Sequence, residues 1–317
     1  MKQTIDTPTT PTPEQNEQPK LRLMVTRHTE RLPDGTLSPE GQAQARRKGE
    51  KVKESGAEVF KAYVSDHKSG RAIETGQTIS SSSQIASEHS GKQYRTHKVP
   101  DIQYDILKPD LSKLVAKASD MINTATLQDL GMSTERDDQG KLKIELESLS
   151  ADEQARIAPI RAKNQRVGIN FVMQNDAAVD RMASGLAHQL AHELKLSRRY
   201  LEMRDRAEKP PKGDVVLNTV SHGMFSESLI KKAGLMKGAD GTRREITDFE
   251  SSDFGGIIAP GESWSLVIND VANLPKEIPV EFEGEGRPTL GQVFIDRDKL
   301  MALDEKYKAW KAAQVKK

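Results

Sequence analysis

The sequence predicts an α/β fold, a three-layer α/β/α sandwich with a mostly parallel central sheet and a helical insertion. Three observations carry that expectation. Runs rich in apolar and β-branched residues recur at 21–26, 59–65 and 215–221, the length of strands buried on both faces. Segments with helical spacing and helix-start signals lie between strands, the alternation expected of a sheet with helices on its faces. From about 107 to 210 charges are dense, apolar residues recur at helical spacing and β-branched runs are scarce. The chain therefore divides into a disordered tail (1–19), a first part of the core (20–106), a helical insertion or cap (107–210) and a second part of the core with a C-terminal helix (211–317).

The first strand, Leu21-Arg22-Leu23-Met24-Val25-Thr26, leads into a polar loop. Ser38-Pro39-Glu40 then reads as an N-cap, a proline at the first helical position and an acidic first turn. That helix runs over 39–55 and stops at Gly56. A strand over 59–65 is followed by a helix from near Ser69, which the serine tract Ser80 to Ser83 ends or frays, and by a short strand at 94–99. Within the insertion, Asp137-Asp138-Gln139-Gly140 reads as a turn between helices. Residues 177–207 form one long helix with Val179, Met182, Leu186, Leu190 and Leu194 on a face, ending before Pro210-Pro211. A strand over 215–221, a helix over 226–233 and a strand over 263–268 return the chain to the sheet. A short β pair around Val280-Glu281-Phe282 and Val293-Phe294-Ile295 precedes a last helix carrying Leu300, Leu303, Tyr307 and Trp310.

The 317 residues are ample for a sizeable core, and their net charge of +1 gives no global argument for nucleic acid or membrane surfaces. With no cysteine, disulfides, thiol nucleophiles and cysteine metal sites are excluded. Residues 1–20, rich in Thr, Pro and Gln, have no apolar centre for a signal peptide, and no apolar run approaches transmembrane length. A soluble, cytoplasmic protein is the expectation.

Candidate chemistry sits at the ends of three strands. Arg27-His28 ends the first, Arg71 opens a helix just after the second, and His222-Gly223 ends the strand at 215–221. Each can face the sheet edge where parallel strands place their ligands. Gathered there, these two arginines and two histidines make a compact cationic pocket for a phosphate. His28 is the candidate nucleophile. One imidazole nitrogen attacks phosphorus while the other donates its proton to a fixed acceptor, giving a phosphohistidine that water then hydrolyses. Arg27 and Arg71 offer forked donors to the phosphoryl oxygens, and a protonated His222 adds another. The leaving oxygen needs a proton. Asp105 is preferred as the acid, with Asp101, Glu30 and Glu227 as rivals.

Other features have plainer readings. His188 and His192 stand four apart with Glu193 beside them, but a metalloprotease helix needs Glu directly after the first His, where Gln189 stands. A solvated helix face is expected there, and no metal site. His67 lines the pocket or is a simple loop residue, while His89 and His97 carry no signal. Arg198, Arg199, Arg204 and Arg206 are balanced by Glu202, Asp205 and Glu208 and read as a charged helix face.

These motifs resemble the histidine phosphatase superfamily, the phosphoglycerate-mutase-like proteins. Arg27-His28-Thr29 matches the family's Arg-His-Gly, Leu37-Ser38-Pro39-Glu40-Gly41-Gln42-Ala43 its Leu-Thr/Ser-Pro-x-Gly run, Arg71-Ala72-Ile73-Glu74-Thr75 its Arg-Ala-x-Glu-Thr, and Ser221-His222-Gly223 its Ser-His-Gly. The order agrees, over about residues 21–82 and 214–270. The resemblance implies phosphohistidine chemistry at His28, with Arg27, Arg71 and His222 holding phosphate beside Thr29 and Gly223, and no metal or organic cofactor. Thr29 stands where the family has glycine. A phosphomonoester hydrolase acting on a phosphorylated small molecule or phosphoprotein is therefore expected. A phosphate-binding module without turnover and a phosphotransferase or mutase are the alternatives.

Overall fold

The computed structural model describes residues 20–30, 36–65, 70–85, 96–102, 104–107, 111–204, 206, 213–238, 240–247, 249, 254–284 and 287–315. The expected tail at 1–19, His67 and His89 lie outside the described residues, as does Asp205. Strand β1 (Leu21–Arg27) leads to helix α1 (Pro39–Glu54), strand β2 (Val59–Ser65), helix α2 (Arg71–Ser83) and strand β3 (Thr96–Val99). Helices α3 (Ser112–Asp129), α4 (Ala151–Met173) and α5 (Asp176–Arg204) follow. The chain then re-enters the sheet through β4 (Val215–Ser221), α6 (Phe225–Ala233), β5 (Gly234–Lys237), β6 (Arg243–Glu245), β7 (Ser263–Ile268), β8 (Glu277–Glu283) and β9 (Val293–Asp296), and ends in α7 (Arg297–Val315).

The strands form one sheet in the order β3-β2-β4-β1-β7-β8-β9-β5-β6. Here the expectation of a mostly parallel sheet is corrected. Only the β3-β2-β4-β1 half is parallel, and every pairing from β1–β7 outward is antiparallel. The reason is the length of the connections. Only residues 269–276 join β7 to β8, and 284–292 join β8 to β9, too few for the helical crossover that parallel neighbours need.

Helices cover both faces of the parallel half. On one face Met24, Phe60, Ala62 and Val216 pack with Ala45 and Val52 of α1 and Ile79 of α2. On the other, Leu21, Leu23, Val25, Tyr63 and Leu217 join the main core with Val179, Met182, Leu186 and Leu190 of α5. Alternate residues of one strand thus serve opposite layers, as the period of two requires. Helix α5 carries the predicted apolar face, but it packs on α6 and α7 and so belongs to the sheet's own helical layer. The α3–α4 pair joins the main core through Ala118, Ile169, Val172 and Met173, and has a second small core of Leu127, Leu146 and Ile157 at its far end. Gly168 lets the two helices approach, since a Cβ there would lie 2.7 Å from Ile122 Cδ1.

Local signals act as expected. Ser38 Oγ accepts from Gly41 N at 3.0 Å to cap α1, and Gly56, at φ 75°, stands just past its end. Asp137 Oδ1 accepts from Gln139 N and Lys141 N, both at 2.9 Å, closing the turn between α3 and α4. The serine tract closes α2, with Ser80 and Ser83 donating back to carbonyls one turn earlier. Strands β5 and β6 have no counterpart in the sequence reading. They are short, and β6 is exposed along its whole length, so no burial pattern marks it. Among the described residues no helix is long and apolar enough to cross a membrane.

Candidate active site

The parallel half of the sheet puts three chain ends together. Arg27 pairs with Ser221 as β1 and β4 finish side by side, and His28 N donates to Ser221 O at 2.9 Å. His222, one residue further, therefore meets His28, their ring centroids 5.1 Å apart and nearly edge to face. Ser65, the last residue of β2, places its Oγ 3.1 Å from His222 Nε2. Arg71 is the first residue of α2, entered through Gly70 at φ 67°, a left-handed conformation that glycine adopts without strain. Arg27, His28, Thr29, Arg71 and Gly223 all line one cavity of about 310 Å³.

The orientation of His28 is fixed by chemistry. Its Nδ1 lies 2.9 Å from Thr29 O. A carbonyl only accepts, so Nδ1 carries the proton and Nε2 keeps a lone pair. Burial, then the charges of Arg71, His222 and Arg27, push its pKa well below the usual imidazole range, against the opposing hydrogen bond to Thr29. The neutral ring is thus the resting form.

Arg27 is 5% exposed and locked in place. It donates to Ile258 O and to Gln165 Oε1. Gly223 makes room for it, because a Cβ there would stand 2.7 Å from Arg27 Cζ. Fully buried Glu227 accepts from Met224 N at 2.8 Å and Ile258 N at 3.0 Å, and so holds the residue whose carbonyl receives Arg27. Thr29 is fully buried and faces Thr75 of α2, Oγ1 to Oγ1 at 3.2 Å. The second motif has its own division of labour. Ala72 packs with Val64 and Val220, Glu74 accepts from Leu37 N at 3.0 Å, and a Cβ on Gly76 would strike Val64 Cγ1.

The carboxylates separate clearly. Glu30 lines the cavity with His28. Burial, helped by the charge of Glu40, raises its pKa, and its buried Oε1 has no hydrogen-bond partner among the described residues. Its backbone is held by α1, for Ser38 N donates to Glu30 O at 3.1 Å and Gly41 leaves space against the same carbonyl. The Leu37–Gly41 motif thus serves to place the residue that follows the histidine loop. Asp105, the preferred acid from sequence, sits in the 3-10 turn Tyr104–Leu107, its side chain outside the described residues. Asp101 is tied to α7 by Tyr307 Oη at 2.5 Å and Lys311 Nζ at 2.8 Å. Glu227 is occupied with the two backbone N–H groups above.

Sequence reasoning missed Arg161 and Gln165, which α4 brings to the cavity. They are four apart on one helix face, with Ala158, Ala162 and Ile169 on the same stripe, but nothing local distinguishes them from solvated helix residues. The His188–His192 pair lies elsewhere, where His188 Nδ1 meets Asp304 at 2.7 Å and stacks on Tyr307.

No family model and no curated protein matches the chain. Among solved structures it is similar to the apo form of Hafnia alvei phytase, at 11% identity and a TM-score of 0.49 over 93% of this chain and 98% of that one. It is also similar to a mycobacterial glucosyl-3-phosphoglycerate phosphatase, at 12% identity and a TM-score of 0.34 over 84% of this chain and 99% of that one.

Proposed function

We propose that the protein is a phosphomonoester hydrolase working through a phosphohistidine on His28. The observation that carries this reading is the His28 ring: neutral, with Nδ1 held on Thr29 O, in a cavity shared with Arg27 and Arg71. His28 Nε2 attacks phosphorus and the bond from phosphorus to the leaving oxygen breaks. Arg27 and Arg71, which line the cavity, neutralise the equatorial oxygens as the phosphoryl group transfers, with His222 standing against the His28 ring. Glu30 replaces Asp105 in this reading as the acid. Its raised pKa keeps it protonated further up the pH scale, so it can give its proton to the departing oxygen. Water then attacks the phosphohistidine, returns a proton to Glu30 and frees phosphate and the neutral imidazole. Cavity volume favours a small phosphorylated molecule over a protein surface, since small-molecule sites run from about 300 to 1,000 Å³.

The test uses 4-nitrophenyl phosphate and a chemical quench. Wild type should carry phosphate that is stable in alkali and lost in acid, and His28→Ala should carry none, with kcat lower by about 10³-fold or more. Unchanged turnover in His28→Ala would overturn the assignment. Phosphate appearing on an added alcohol in place of water would make the protein a transferase.

A further inference from the structure

The wall opposite the phosphate groups differs in kind from the rest of the cavity. Helix α3 supplies Val115, Ala118 and Ile122 with one hydroxyl, Ser119, and α4 supplies Ala158, Ala162 and Ile169. Among the described residues, Arg161 is the one charged side chain that these two helices add to the lining. Ala118 and Ile169 belong to the main core, with Val115 packed against it, and α3 and α4 close on each other through Gly168, so this wall is a packed surface and not a loose flap. Gln165 marks where the two halves meet, because it accepts from Arg27 on the phosphate side while its helix carries the hydrocarbon stripe.

From this juxtaposition we infer that the enzyme selects phosphomonoesters of small apolar alcohols or phenols, about one ring or a short chain, over those of polyols. The inference rests on the hydrolase reading above. A phosphomonoester seated on Arg27, His28 and Arg71 has to fit its organic group into the same cavity, whose α3 and α4 side is mostly apolar. Apolar carbon there is removed from water against like surface. A sugar or glycerol leaving group would instead set most of its hydroxyls against Val115, Ile122 and Ile169, with only Ser119, Arg161 and the Arg27-bound Gln165 to pair them, and buried unpaired hydroxyls are costly. A second phosphate would find only Arg161 on this wall.

The experiment compares benzyl phosphate with glycerol 3-phosphate on the full chain. Both leave as alkyl oxygens, which limits the effect of intrinsic reactivity. We expect kcat/KM for benzyl phosphate to be at least ten times higher. The ratio should rise along ethyl, butyl and hexyl phosphate until the cavity is filled. Ile122→Asn should lower the benzyl-to-glycerol ratio at least fivefold, a change that general loss of fold would not produce, since both substrates would then suffer alike. Equal or inverted preference in wild type, or an unchanged ratio in Ile122→Asn with both substrates turned over, would overturn the inference while leaving the hydrolase reading intact. Absence of turnover and of protein-bound phosphate with every ester would overturn the hydrolase reading, and this one with it.

Discussion

Glu30, one of the four carboxylates that the sequence offers as the acid, is the one we propose. Its carboxyl is raised by burial and by Glu40, it lines the cavity, and its backbone is clamped by the start of α1. Glu30→Gln should reduce kcat for alkyl phosphates by about 10² to 10⁴-fold and far less for 4-nitrophenyl phosphate, whose leaving group needs no proton. In wild type, activity toward alkyl esters requires the protonated carboxyl. It should hold below the raised pKa of Glu30 and fall as pH passes through it, and that limb should vanish in the variant. Gly223 tests a different property. Gly223→Ala puts a methyl 2.7 Å from Arg27 Cζ, so the guanidinium must move. A displacement of about 1 Å near reacting groups costs on the order of 10²-fold, and steady-state kinetics should show it with the melting temperature nearly unchanged.

Elements bring these side chains together, and their packing makes separate predictions. Helix α2 lies against β2 through Gly76, where a Cβ would strike Val64 Cγ1. Gly76→Val gains a few tenths of a kcal/mol in helix propensity but overpacks the contact by about 1–3 kcal/mol or more, so denaturant unfolding should show a net loss. Helix α5 packs on β4 through a polar contact inside the core. Glu193 accepts from Gln189 Nε2 at 2.8 Å and from Thr219 Oγ1, and its buried Oε2 has no hydrogen-bond partner among the described residues. Burial pushes its pKa from 4.5 up to about 7. Because the folded-state pKa lies above the unfolded one, the stabilisation is fully present below about 4.5 and lost as pH rises through about 7. The amount is on the order of 3 kcal/mol. Glu193→Gln keeps an acceptor for Thr219 and Gln189 while removing the titration. Unfolding between pH 4 and 8 should therefore show a flatter stability profile in the variant than in wild type.

At the scale of the molecule, the legible and the illegible parts have physical causes. Strands β1 and β4 are buried over nearly their whole length and β2 over its second half, so their composition alone marks them, while α1 carries a capping signal and α5 an apolar stripe. That is why His28, Arg27, Arg71 and His222 could be placed at one sheet edge from the sequence. The antiparallel half was not legible because pairing direction depends on how strands are joined, and short strands such as β6 have no buried face to pattern. Arg161 and Gln165 reach the cavity only when the α3–α4 pair closes on the sheet edge, a tertiary event with no local trace, and the choice of Glu30 among the four carboxylates needs the cavity lining. The central claim is covalent chemistry at one imidazole, and the most direct measurement is rapid-quench mass spectrometry of the intact protein mixed with a phosphomonoester. The expected result is a transient gain of one phosphoryl group, mapped to His28 and formed before phosphate is released. Turnover with no phosphorylated protein at any time, or with the group mapped to another residue, would contradict it.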